Sequence, residues 1–213
     1  MAEDLVFYTH PQSRGRIVRW MLEEVGRPYR TEIVDYGSGM KSPAFLAVNP
    51  MGKVPVIRHG DRVVTESAAI CAYLADVFPE AGLAPPPGDP ARGAYYRWLF
   101  FTAGPFDQAF TLRALQMAIP EGGDRMLGCG SGDAVLDTIE EAVSGSDYLA
   151  GSAFTAADLY VAAHLRFGVA FKVFDNRPAF GRYVDRICSR PASQRAVDMD
   201  DALAATLAPA APH

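Results

Sequence analysis

The sequence predicts two domains of different class: an α/β first half on a mixed four-stranded sheet, followed by an all-helical second half. Three observations carry that expectation. Before residue 79, short apolar runs alternate with helical patterns. From Pro79 to Pro90 the chain holds five prolines and two glycines, a stretch that can neither continue a helix nor fill a central strand. Beyond it, apolar residues recur at helical spacing and no strand pattern follows. The implied division is 1–78, a linker at 79–90, and a helical domain at 91–213.

The elements follow in order. Leu5-Val6-Phe7-Tyr8 is a short apolar run of the kind a buried strand uses. Ile17, Val18, Met21, Leu22 and Val25 then form a helical stripe, and Gly26 suits the position just past a helix end. Tyr29 to Val34 reads as a second strand and Pro43 to Val48 as a short helix. Val54–Ile57 and Val63-Val64 flank His59-Gly-Asp-Arg62, a hairpin turn. Ile70, Tyr73, Leu74 and Val77 have the i, i+3, i+4, i+7 spacing of an amphipathic helix. The order βαβ then αββα implies one parallel pair and an antiparallel edge.

In the second half, Tyr95, Trp98, Leu99 and Thr102 predict a long helix bent at Gly104-Pro105. Val135, Leu136, Ile139 and Val143 predict another. Thr155-Ala-Ala-Asp158 fits a capping box, with Thr155 accepting from a backbone N–H and Asp158 reaching back. Phe180, Tyr183, Val184 and Ile187 form the last stripe, and the Ala/Pro-rich tail from Ala202 to His213 is expected to fray.

Of 213 residues, 49% are hydrophobic, enough to build two cores, and the net charge is -5. That balance disfavours nucleic acid and an anionic membrane surface as partners. The acidic start, Met1-Ala2-Glu3-Asp4, lacks the basic region of a secretory signal. Cys71, Cys129 and Cys188 are odd in number, widely spaced and without zinc-ligand spacing. A reduced, cytoplasmic, metal-free protein is expected, with Cys71 and Cys188 in the core and Cys129 in a Gly-rich stretch that could expose it.

Three segments of the first half carry chemistry. Tyr8-Thr-His-Pro-Gln-Ser-Arg-Gly-Arg16 spans the turn into the first helix, where free N–H groups and a positive dipole end suit an anion such as a thiolate. Ser13 is the best-placed donor there, and it also suits a plain capping role. In Asn49-Pro-Met-Gly-Lys-Val-Pro55, a cis Val54-Pro55 bond would turn the Val54 N–H and C=O outward to pair with an extended peptide. Lys53 would face that peptide's carboxylate, the alternative being an ordinary turn into an edge strand. Thr65-Glu66-Ser67 opens the next helix. There Ser67 can donate to a carboxylate and Glu66 can hold an ammonium, or the trio simply starts the helix.

Taken together and in order, these segments resemble the cytosolic glutathione transferases. The resemblance runs from about Leu5 to Asp201 and rests on residues 13–24, 49–55, 65–74 and 154–160. It implies a thioredoxin-like first domain, a helical second domain and a homodimer. Glutathione would serve as co-substrate and nucleophile toward a small hydrophobic electrophile, with an isomerase, a dehalogenase or a non-catalytic binding protein as alternatives on the same fold. By position, Val54 and Pro55 would bind the cysteinyl backbone, Glu66 and Ser67 the γ-glutamyl end, and Lys41 and Lys53 the glycyl carboxylate. Ser13 would hydrogen-bond the sulfur, as in serine-type members, with Tyr8 the rival donor and His10 a third. The resemblance also places an acceptor site between the domains, with His10, Phe106, Asp107 and Phe110 as candidate walls, although both phenylalanines equally suit the helical core. Bacterial members often carry a cysteine near the Ser13 position and this chain has none, which argues against cysteine-dependent reductase chemistry.

Overall fold

The computed structural model describes residues 4–207. They form two compact units, one running through Ala81 and resuming at Pro191, the other spanning Gly82–Arg190. The second return differs from the sequence-based division, which left everything after residue 90 in the helical domain.

In the first unit, β1 (Leu5–Thr9), β2 (Arg30–Ile33), β3 (Val56–His59) and β4 (Arg62–Thr65) form a mixed sheet of order β2-β1-β3-β4. β1 runs parallel to β2 and antiparallel to β3, and β3 pairs antiparallel with β4. Leu5, Val6 and Phe7 are buried in succession because β1 lies between two strands and is covered on both faces. The helices are α1 (Gly15–Val25), α2 (Pro43–Leu46) and α3 (Ser67–Val77). Gly26 ends α1 at φ 69°, donating its N–H to Leu22 O at 3.0 Å. Ser42 caps α2, accepting from the Phe45 N–H.

On α1 the predicted stripe is buried from Ile17 to Leu22 while its last member, Val25, is half-buried, and Arg19 and Trp20 are buried as well. Arg19 is covered by α9 (Pro191–Thr206), a helix absent from the sequence reading. It packs on α1, covering a second face. Arg19 Nε meets Asp200 Oδ1 at 2.7 Å in the interior, Arg16 meets Asp201, and Arg195 meets Glu23. Residue numbers fall along α9 as they rise along α1, so the two helices run antiparallel. The expected fraying of Ala202 onward is therefore corrected as far as Thr206, which is helical; residues 208–213 lie outside the described residues.

The helical unit holds α4 (Ala91–Phe101), α5 (Asp107–Ala114), α6 (Gly132–Gly145), α7 (Ala156–Ala170) and α8 (Pro178–Cys188). The predicted bend at Gly104-Pro105 is a π-helical turn over Thr102–Phe106 that joins α4 to α5. α7 is central, buried from Ala156 through Leu165. Its capping residue Asp158 does more than the sequence implied. Oδ2 accepts from the Thr155 N–H and hydroxyl, and Oδ1 accepts from the Leu149 N–H and the Tyr183 hydroxyl. One buried carboxylate thus ties the start of α7 to α8 and to the preceding loop.

The cysteine expectations need two corrections. Cys71 is core, and burial pushes its thiol up to about 12. Cys129 is buried rather than exposed, its N–H donating to Gln108 Oε1, whereas Cys188 is only half-buried. Among the described residues no helix is long and apolar enough to cross a membrane.

Candidate active site

Strand register brings the three chemistry-bearing segments to one end of the sheet. Tyr8 pairs with Val56, and Val56 pairs with Thr65. The exit of β1 into His10–Arg14, the entry to β3 at Val54-Pro55, and the exit of β4 into Glu66-Ser67 therefore stand side by side. Segments about 40 and 10 residues apart in sequence meet there because β3 runs against both neighbours.

The β1–α1 turn is held by a dense local network. The Ser13 N–H and hydroxyl both donate to His10 O, at 3.0 and 2.7 Å, and Ser13 Oγ accepts from the Gly15 N–H at 2.9 Å. A hydroxyl has one proton, and here it is committed to His10 O. Gly15 is required by this packing: a Cβ there would lie 1.9 Å from Thr9 Oγ1 and 2.9 Å from Ser13 Oγ. His10 is buried, its Nδ1 accepting from the Gln12 N–H at 3.2 Å, so in the neutral ring the proton resides on Nε2. Burial holds the His10 pKa below its usual 6.5, against an opposing pull from Asp35. Tyr36, which the sequence reading missed, packs edge-on against His10 and donates its hydroxyl to Gln12 O at 3.1 Å.

Tyr8 is half-buried and packs against the apolar cluster of Val34, Met40, Phe45 and Val56. Its ring lies 6.0 Å from that of Phe45.

Val54-Pro55 is cis. Among the described residues no hydrogen bond engages the Val54 N–H or C=O. Buried Asn49 builds the preceding turn, donating from Nδ2 to Lys53 O at 2.8 Å and accepting the Met51 N–H. The Lys41 ammonium donates to Met51 O and Gly52 O at 2.9 and 3.3 Å, which ties it to that same turn. The Lys53 side chain is exposed.

Glu66 supplies a signal that the sequence did not show. Its φ is 67° and ψ 120°, a conformation that costs a non-glycine residue about 1–3 kcal/mol. It stands immediately before Ser67, the first residue of α3, with its side chain exposed and its carbonyl accepting the first helical bond from Ile70 N–H.

The candidates in the helical unit fare differently. Phe106 is core, 2% exposed, with its ring among those of Phe110, His164 and Phe174. Phe110 is half-buried and, with Phe106, Arg113 and Phe174, lines a recess with room for about one water molecule, far below the roughly 300 Å³ at which ligand clefts begin. Asp107 is half-buried and opens α5. Among the described residues no group of three or more His, Cys, Asp or Glu is arranged to hold a metal.

Residues 13–77 match the family model for the glutathione S-transferase N-terminal domain, and residues 131–191 that for the C-terminal domain. A glutathione S-transferase of Hyoscyamus muticus is 31% identical over 177 residues, spanning 76% of this chain and 81% of that one. The chain belongs to the glutathione S-transferase family. Among solved structures, a glutathione transferase of Methylococcus capsulatus matches this transferase with a TM-score of 0.76 at 30% identity, over 93% of this chain and 99% of that one. A sphingomonad glutathione S-transferase solved in complex with glutathione matches with a TM-score of 0.76 at 29% identity, over 92% and 98%. The mixed sheet of the N-terminal unit is thus the thioredoxin-like domain of a transferase, and Gly82–Arg190 supplies the helical domain.

Proposed function

We propose that this transferase binds glutathione at the end of the sheet where the three segments converge, and directs its thiolate at a small hydrophobic electrophile. The observation that carries the reading is that convergence: Tyr8, Val56 and Thr65 in register bring the β1–α1 turn, a cis Val54-Pro55 and a strained helix start together. The outward Val54 N–H and C=O pair with the cysteinyl backbone as an added strand does. Glu66 and Ser67 take the γ-glutamyl ammonium and carboxylate, and Lys53 the glycyl carboxylate. Lys41 acts mainly by holding the 49–53 turn, since its ammonium already serves two carbonyls. The bound sphingomonad relative supports glutathione as the ligand.

Ser13 activates the sulfur in this reading. Its proton turns from His10 O to the thiolate while Oγ keeps the Gly15 N–H, and the positive end of the α1 dipole adds to the field. The thiol, with an ordinary pKa of about 8.5, is thereby held ionised near neutrality. The sulfur attacks the electrophilic carbon, the leaving group departs with its electron pair, and the thiol proton passes to solvent. Tyr8 and His10 are the competing donors, the latter through Nε2–H. Assembly as a homodimer belongs to the same reading: Phe100, 73% exposed on α4, is a side chain such an interface would cover.

The test is an ultraviolet difference spectrum of bound glutathione across a pH series, in wild type, Ser13→Ala, Tyr8→Phe and His10→Gln. A thiolate band below pH 8 that is lost only in Ser13→Ala supports the serine-type site. Loss in Tyr8→Phe or His10→Gln instead reassigns the donor. Binding without a thiolate, or no binding, removes the transferase chemistry.

A further inference from the structure

The two adjacent carboxylates of α9 do different work. Asp200 is buried against Arg19, which sets the rotation of α9 about its axis. Asp201 is 61% exposed, yet that rotation delivers its Oδ1 to within 2.7 Å of Arg16 Nη2. A surface ion pair contributes little to stability, so the destination of Arg16 matters more than the pair itself. Arg16 Nε donates to Pro11 O at 2.5 Å, inside the β1–α1 turn.

Pro11 O and the Gln12 N–H belong to one peptide group, which is trans, since Val54-Pro55 is the cis bond among the described residues. A trans peptide is planar, with its C=O and N–H pointing to opposite sides. The guanidinium therefore grips this group from one side while the imidazole Nδ1 of His10 receives its N–H at 3.2 Å on the other. Donation to the oxygen also polarises the N–H and strengthens what it gives to His10. The path Asp201–Arg16–Pro11/Gln12 peptide–His10 runs entirely within the first unit.

We propose that Asp201 is a positioning residue for the β1–α1 turn: through Arg16 and the Pro11–Gln12 peptide it holds His10 with the proton on Nε2. An arginine is needed at 16 because its planar fork binds two partners at a fixed angle, which the point charge of lysine does not. The placement stands on the hydrogen bonds alone; its consequence for rate rests on the glutathione reading above.

The experiment uses the full chain labelled with ¹⁵N-histidine, and reads the His10 tautomer by NMR in wild type, Arg16→Lys, Asp201→Asn and Asp201→Glu. Wild type and Asp201→Glu are expected to show Nε2–H, and the other two an averaged mixture with thermal midpoints close to wild type. In parallel, conjugation of glutathione to a small aryl halide should lose on the order of tenfold in kcat in Arg16→Lys and Asp201→Asn, with the KM for glutathione held within about twofold. An Nε2–H signature unchanged in both variants overturns the proposal. So does loss of the tautomer accompanied by unfolding, with no rescue in Asp201→Glu. If wild type does not turn over glutathione, the functional reading fails while the tautomer still decides the positioning role.

Discussion

Replacing Asp200 by Ala should be among the most damaging single changes in the first unit. The carboxylate is 1% exposed and pairs with an Arg19 side chain that is 3% exposed. Arg19 would keep only contacts at 3.3 and 3.4 Å to the Tyr29 and Thr31 hydroxyls, and its place over the Phe7 ring. An uncompensated buried charge costs about 3–5 kcal/mol, whereas replacing both partners by apolar residues is often neutral. The balance in this pair favours that second outcome, because burial raises the Asp200 carboxyl above its ordinary pKa despite the pull of Arg19. Coulombic gain has not repaid desolvation here. The assay is urea unfolding followed by Trp20 fluorescence in a Trp98→Phe background. Trp20 lies buried in α1, so the signal reports this unit and not the helical one. Asp200→Ala should lose about 3–5 kcal/mol, and Arg19→Met with Asp200→Leu should recover most of it. A loss below about 1 kcal/mol for the single variant, or an equal loss for the double, refutes the argument that the buried pair holds α9 on α1.

Glu66→Gly should relieve a strain of about 1–3 kcal/mol while adding about 1 kcal/mol of unfolded-chain entropy, so stability rises or stays level. Calorimetry should show weaker glutathione binding at the same time, and a clear destabilisation with unchanged affinity would contradict both roles given to Glu66. His10 makes stability pH-dependent in a defined direction. Its folded-state pKa lies below 6.5, chiefly through burial, so the unfolded chain takes up the proton first as pH falls. The contribution of neutral His10 is complete above pH 6.5 and declines below it. His10→Gln should flatten that part of the unfolding free energy against pH, and a profile identical to wild type would show that His10 does not titrate differently on unfolding.

Much of the molecule follows from short-range sequence alone. Leu5–Tyr8, the stripe Ile17-Val18-Met21-Leu22, the hairpin around Gly60-Asp61 and the Thr155–Asp158 box are local patterns, and the folded chain keeps them because periodicity and turn chemistry act over a few residues. The motifs at 13, 49–55 and 65–67 are local too, and so are readable one at a time. Their meeting is a matter of strand register, which no single segment contains. The last helix escaped for a related reason: its buried face is Ala192, Ser193, Ala196 and Asp200, small or polar residues that form no apolar stripe. Only when α1 presents Arg19 does burying Asp200 become possible. Phe106 shows the converse, since a phenylalanine on a helix suits a substrate wall or a core equally until His164 and Phe174 are seen around it. The commitment of the Ser13 proton to His10 O and the strained backbone of Glu66 are likewise products of the closed structure. Residue identity and spacing determined which groups are available for chemistry; the partners each group has were decided by tertiary packing, because burial and hydrogen bonding depend on neighbours distant in the chain.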